Sequence, residues 1–221
     1  MPRAVGRRDD ILAVFIRNVS ERGYERTNLG DIAEELGMSK GTIVHHFGTK
    51  AQMLRELEEC YMRRQLDAVH SIWDHLDKPQ ERIAAVIYAS ALLHVVARDA
   101  TVASQREVVQ LADDPAMQEV RKLRGELQQL TLGEVIRGIE LGVFRAVDAE
   151  IANLQMWGSM QWLWVWFDPD GSWSAQRVGA GFVDVCVGGL LTDRLCLAAL
   201  ADPNGEIAKL VEDCLTNVGD R

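Results

Sequence analysis

The feature that most constrains this chain is a run of short helices punctuated by glycines near its N-terminus, GYERTNLGDIAEELGMSKGTIVHHFGTKAQML over residues 23–54. Leu29, Ile32, Ala33 and Leu36 recur at helical spacing in a helix that opens at Thr27 or Asn28 and stops at Gly37. A second helix begins at Ser39 and ends near Phe47–Gly48. A third opens with Thr49 at its N-cap and Gln52 three residues on, a capping box, and runs towards Leu76. The spacing Ala33–Gly37–Ile43 links them. A small residue at 33 lets the next helix cross closely above it. Gly37 permits the positive φ of a tight turn, and Ile43 packs back between the helices. This is helix-turn-helix spacing. It leaves Lys40, Gly41, Thr42, His45 and His46 outside, all small, polar or cationic, as entry into a nucleic-acid groove requires.

The rest of the chain also reads as helix. No Val/Ile/Thr run shows the alternation and hairpin turns of strands. A first helix follows Asp9 and Asp10, with Gly23 expected as its C′ residue. Beyond Pro79 the helices lengthen. They are expected over about 80–98, 101–111, from Asp114–Pro115 to Leu141, 148–167, and from Ser174 to about Leu200. The fold class is therefore all-α, a three-helix helix-turn-helix domain over residues 1–50 followed by a helical bundle over residues 51–221.

Charge divides at the same place. The chain carries 24 Lys+Arg and 33 Asp+Glu, a net −9, yet residues 1–50 hold 8 basic and 7 acidic residues. The acidity belongs to the remainder, and a near-neutral head on an acidic body does not exclude DNA. Cys60, Cys186, Cys196 and Cys214 form no CxxC or zinc spacing, which points to a reducing compartment. The longest apolar stretch, residues 83–97, contains Ser90 and His94 and falls short of a membrane span. No His/Glu metal pair, phosphate loop or nucleophile motif is present. No catalytic residue, metal or cofactor is expected.

The pattern resembles the TetR family of bacterial transcriptional regulators. The matching elements are Gly23-Tyr24, Thr27, Asp31-Ile32-Ala33, Gly37, Ser39, Gly41-Thr42, His46-Phe47 and Thr49-Lys50. Where many members carry Tyr, this chain has Val44, which has no side-chain group to bond a phosphate. The resemblance and the residue chemistry together nominate Thr27, Thr49 and Lys50 for phosphate contact, with Ser39, Lys40, Gly41, Thr42 and His45 in the groove. Lys40 suits guanine O6/N7, and the Thr42 methyl suits a thymine methyl. Arg3, Arg7 and Arg8 form a basic arm. The implied partners are operator DNA, a second copy of the chain and a small-molecule effector, in the bacterial cytoplasm and with no membrane.

Readers of this kind use two-fold symmetry, so the body must supply an interface. Between residues 148 and 167, Trp157, Met160, Trp164 and Phe167 fall on one stripe and Trp162 and Trp166 on another. One stripe is expected to face the body's own core and the other a partner. Gly179, Gly181, Gly188 and Gly189 suggest close helix approach at that interface. The resemblance also implies an effector pocket, with Tyr88, Leu92, His94, Leu123, Leu127, Trp157, Met160 and Trp164 as candidate lining, and His94, Gln105 and Glu134 as polar groups to orient a ligand. A looser similarity to the lipid-catabolism branch implies an acyl-CoA effector, whose pyrophosphate would need Arg98, Arg106, Arg121, Lys122 or Arg124. A neutral apolar ligand fits equally well. The competing reading is an all-helical ligand-binding module or enzyme without DNA-binding activity.

Overall fold

The computed structural model describes residues 7–107 and 114–218. Twelve α-helices run through the described residues, which contain no strand. They are α1 Arg7–Arg22, α2 Leu29–Glu35, α3 Lys40–Phe47, α4 Lys50–Trp73, α5 Pro79–Val96, α6 Arg98–Glu107, α7 Gln118–Glu140, α8 Ala149–Gln161, α9 Leu163–Trp166, α10 Ala175–Leu190, α11 Leu197–Leu200 and α12 Glu206–Val218. Two compact units divide them. One takes the chain through Met62 and adds Asp99–Lys122; the other holds Arg63–Arg98 and everything from Leu123 onward. Helix α4 contributes residues to both.

The first unit closes around Ile11, Phe15, Val19, Ile32, Ile43, Met53 and Leu57, all buried. Each such side chain contributes about 1.5–3 kcal/mol. Local chemistry sets the helix ends. Gly23 takes φ +84° after α1. Helix α2 ends in a Schellman motif: Gly37 takes φ +61°, its N–H donates to Glu34 O at 3.1 Å, and Met38 N–H donates to Ala33 O at 2.8 Å. Ser39 caps α3 by accepting from Thr42 N–H. Thr49 and Gln52 form the reciprocal capping box that opens α4, at 2.8 and 3.1 Å. Helix α6 belongs to this unit through Tyr24 N–H donating to Glu107 Oε1 at 2.8 Å, Arg106 donating to Ser20 O at 3.1 Å, and Ser104 Oγ donating to the buried Glu58 carboxylate at 2.6 Å.

In the second unit α5 is the central helix, buried along most of its length and packed against α10 and α12. Gly179 permits the α5–α10 approach, since a Cβ there would lie 2.6 Å from Tyr88 Cδ1. The end of α4 is clasped. Arg82 donates to Leu76 O at 2.7 Å and to Glu134 Oε1 at 2.8 Å, while Arg137 holds the other Glu134 oxygen at 2.7 Å. Guanidinium charge at a helix C-terminus complements its dipole.

Three sequence expectations change here. The helix opened by Ser174 stops at Leu190, not near Leu200. Leu191 turns extended and bridges Phe144, with Arg145 N–H donating to Leu190 O and Thr192 N–H to Val143 O. The helix expected over 148–167 breaks at Trp162, which lets Leu163 and Phe167 stay buried while Trp162, Val165 and Trp166 face outward. The expected helix 101–111 begins earlier, at Arg98, and its end lies outside the described residues.

Candidate functional site

The exposed face of α3 forms first from its burial pattern. Ile43 and Phe47 are one helical step apart and both buried, so Lys40, Gly41, Val44 and His45 occupy the opposite face. No acidic residue lies on α3. Ser39 is exposed at its N-cap, and Thr42 is half-buried with its hydroxyl 3.0 Å from Ser39 Oγ. His45 is exposed and meets the His46 ring edge-on at 5.7 Å. Ser39, Lys40, Gly41, Thr42 and His45 are thus brought together on one helix.

The phosphate candidates lie beside it but have internal work. Thr27 is buried, its hydroxyl donating to Gly23 O at 2.9 Å and its N–H to Tyr24 O at 3.1 Å. The Lys50 ammonium donates to Tyr24 O at 2.8 Å and Thr27 O at 3.1 Å and sits 4.1 Å over the Tyr24 ring. It ties the start of α4 to the turn before α2. Thr49 is exposed. In the basic arm, Arg8 pairs with Glu56, with its second contact at 2.6 Å, and stacks 4.6 Å over Phe47. Arg3 and the Arg7 side chain lie outside the described residues.

The eight candidate lining residues fall in the second unit, whereas Gln105 falls in the first. Tyr88 is fully buried, and its hydroxyl donates to the carbonyls of Leu200 and Asp202 at 3.0 and 3.1 Å. Burial first, and the Asp202 charge second, push its phenol up to about 12. His94 is buried and meets Phe167 edge-on at 6.0 Å. Leu127 and Trp157 border a small, partly open void of about 10 Å³, together with Gln65, Val69, Ser90 and Leu93. That volume holds about one water molecule. Leu92, Leu123 and Met160 are buried, and Trp164 is half-buried.

A polar network missed by the sequence reading borders the same region. Trp157 Nε1 donates to Thr131 Oγ1 at 2.9 Å, which lies 2.8 Å from Asn153 Oδ1, while Asn153 Nδ2 donates to Gln128 O at 3.1 Å. It pins α7 to α8. Glu134 is engaged by Arg82 and Arg137. Of the cations nominated for a pyrophosphate, Arg98 lies 3.8 Å from Asp168, and Arg106 and Arg121 donate to backbone carbonyls. These partners are 7 to 86 positions away, and only tertiary structure reveals them.

Several large apolar side chains stand exposed from α8 to α10, among polar residues that include Glu150, Gln155, Arg177 and Asp184. Ile151, Leu154, Trp162, Val165 and Trp166 are exposed, as is Val185 at 72%. Trp166 stacks on Phe182 at 6.2 Å and meets Trp173 edge-on at 6.4 Å. Of the α10 glycines, Gly179 and Gly188 serve packing inside the unit, whereas a Cβ at Gly181 or Gly189 would meet open space. A groove of about 710 Å³ runs between these helices past Arg145, Ile151, Gln155, Val185 and Gly189. Among the described residues no single helix is long and apolar enough to cross a membrane.

A helix-turn-helix unit with an acid-free recognition helix, coupled in one chain to an all-helical body, is the architecture of a DNA-binding transcriptional regulator. The match to known families makes this specific. Residues 11–57 match the model of bacterial regulatory proteins of the tetR family, and residues 76–190 match the tetracyclin repressor-like C-terminal domain. The chain belongs to the tetR family. It is 28% identical over 188 residues to the HTH-type transcriptional repressor KstR2 of Mycobacterium tuberculosis H37Rv, covering 83% of this chain and 92% of that one. The solved structure of KstR2, described as a ketosteroid transcriptional regulator, superposes with a TM-score of 0.79 at 25% identity over 86% of this chain and 98% of that chain. AibR in complex with isovaleryl coenzyme A and operator DNA shares the fold, with a TM-score of 0.73 at 23% identity over 80% of this chain and 95% of that chain.

Proposed function

We propose that this chain is a homodimeric repressor that leaves its operator when a small apolar or acyl-CoA-type effector binds the body. The reading is carried by the outer face of α3, where Lys40, Gly41, Val44 and His45 stand together on a helix that carries no acidic residue. Ser39, Thr42 and Thr49 flank that face. Thr27 and Lys50 support it from beneath, and an approaching phosphate would compete with carbonyls for the Lys50 ammonium. The protein is not an enzyme in this reading, and it acts in the bacterial cytoplasm.

The effector reading rests on the void beside Leu127 and Trp157. It is a natural nucleus of a pocket, because mostly apolar side chains of α4, α5, α7 and α8 meet there around Ser90 and Gln65. An effector larger than water must displace these side chains. Occupancy would then favour a different arrangement of the body and, through α4, of the reader. The dimer reading rests on the exposed apolar residues of α8 to α10, from Ile151 to Val185. Relatives described as a ketosteroid regulator and as an isovaleryl-CoA complex support an apolar or acyl-CoA ligand.

The test is release from DNA flanking the chain's own gene, followed by anisotropy while isovaleryl-CoA, longer acyl-CoAs and steroid-ring acids are titrated. At least one class should weaken operator binding, and the operator should weaken binding of that ligand by the same factor. Equal ligand affinity for free and operator-bound protein would contradict the mechanism.

A further inference from the structure

The outer face of α3 contains two residues whose presence nothing inside the protein explains. Gly41 has no conformational reason to be glycine, since it is absent from the glycines with positive φ. It has no packing reason either, because a Cβ built there would meet only Ser39 Oγ, at an ordinary 3.5 Å. Glycine is a poorer helix former than alanine, so the missing side chain serves something outside the fold. Val44 lies three residues further along the same face and is 44% exposed. It is the only exposed large apolar side chain on α3, between Lys40 and His45.

We propose that Val44 reads a thymine methyl in the major groove, and that Gly41 brings the helix close enough for it to do so. The inference rests on α3 being the DNA-reading helix. Its core is chemical. The isopropyl group can neither donate nor accept a hydrogen bond, and the only apolar group that unmodified DNA presents in the major groove is the thymine C5 methyl. Any other base edge would place Val44 against polar atoms that it leaves unsatisfied. Lys40, a turn earlier, supplies the cationic contact that fixes the register. Each half-site of the operator therefore carries a thymine selected by this side chain, and recognition at that base pair depends on a methyl group.

The experiment uses the full-length protein and an operator located by footprinting DNA upstream of its gene. Each thymine is replaced in turn by deoxyuridine, which deletes only the methyl, and affinities are read by anisotropy. Wild type should weaken about fourfold at one symmetry-related thymine in each half-site, and about fifteenfold when both are replaced. Val44→Ala should unfold at the wild-type temperature, bind the all-thymine operator with about the same loss, and be indifferent to deoxyuridine at that position. The proposal is overturned if wild type ignores deoxyuridine everywhere, or if Val44→Ala keeps the full penalty. It is equally overturned if Thr42→Ser, and not Val44→Ala, removes the penalty. Failure of wild type to bind any upstream segment is a separate result, and it removes the DNA-reading assignment along with the proposal.

Discussion

The two units expose opposite kinds of surface. On the first, α3 offers small and cationic residues and one valine. On the second, α8 to α10 offer Ile151, Leu154, Trp162, Val165, Trp166 and Val185. A surface of the first kind fits a polyanion and weakens with salt. One of the second kind gains by removing water and changes little with salt. The acidic body cannot hold DNA by its overall charge, so the contrast implies a division of labour. In the proposed dimer, the body brings two readers together, and each reader contributes a few contacts that are weak alone.

The largest effect should come from charging the apolar face. Val185→Glu combined with Trp162→Glu should convert a dimer to a monomer in sedimentation velocity. Operator affinity should fall by about a hundredfold or more, because the second reader no longer binds at high effective concentration. A stable dimer with unchanged operator affinity would show that the face has another use.

A pair of glycines sharpens the same comparison. Gly138 on α7 lies under the Phe144 ring, and a Cβ there would fall 2.0 Å from Cδ2. Gly138→Ala should therefore cost about 1–3 kcal/mol in chemical denaturation, through overpacking. Gly41→Ala should leave stability unchanged or raise it by up to about 1 kcal/mol, since it touches nothing in the fold and alanine is the better helix former. It should nonetheless weaken operator binding by about tenfold if the backbone of α3 approaches the bases closely. Equal stability losses in the two variants would erase the distinction between inner and outer glycines.

The smallest effect concerns pH. Burial raises the Tyr88 phenol to about 12 from an ordinary value of 10.0, so the neutral form is favoured in the folded chain. Its stabilisation is complete below about pH 10. It declines as pH rises towards 12, where the unfolded chain has already lost the proton. Tyr88→Phe should lose about 1–2 kcal/mol at neutral pH, by removing the hydroxyl donor from the Leu200 carbonyl, while the Asp202 carbonyl keeps the Gly205 N–H. The alkaline decline in its unfolding midpoint should be correspondingly shallower than in wild type.

The reader was legible because its signals are local. The Thr49–Gln52 box, the Ser39 cap and the positive φ at Gly37 each involve residues within three positions. The same periodicity placed Lys40, Gly41 and His45 outside, but it missed the exposed Val44 and put the half-buried His46 outside. What remained hidden depends on distant partners. The end of α10 is set by a bridge from Leu191 to Phe144, on a different element. The buried hydroxyl of Thr27 and the carbonyl-bound ammonium of Lys50 look, in sequence, like free phosphate ligands. Glu134 resembles a ligand-orienting group until Arg82 and Arg137 are found on it. In the body, hydrophobic residues on every side of α5 and α8 gave helices but no indication of which side chains would border a void.

The central claim is that two weak readers act as one on DNA. It is tested most directly by counting chains on a labelled operator in sedimentation velocity while salt is varied. Two chains should bind per operator without a populated one-chain complex. Affinity should fall on the order of a hundredfold between about 50 and about 200 mM salt, with the dimer intact. A single chain bound at full affinity, or two chains held with no dependence on salt or sequence, would contradict the account.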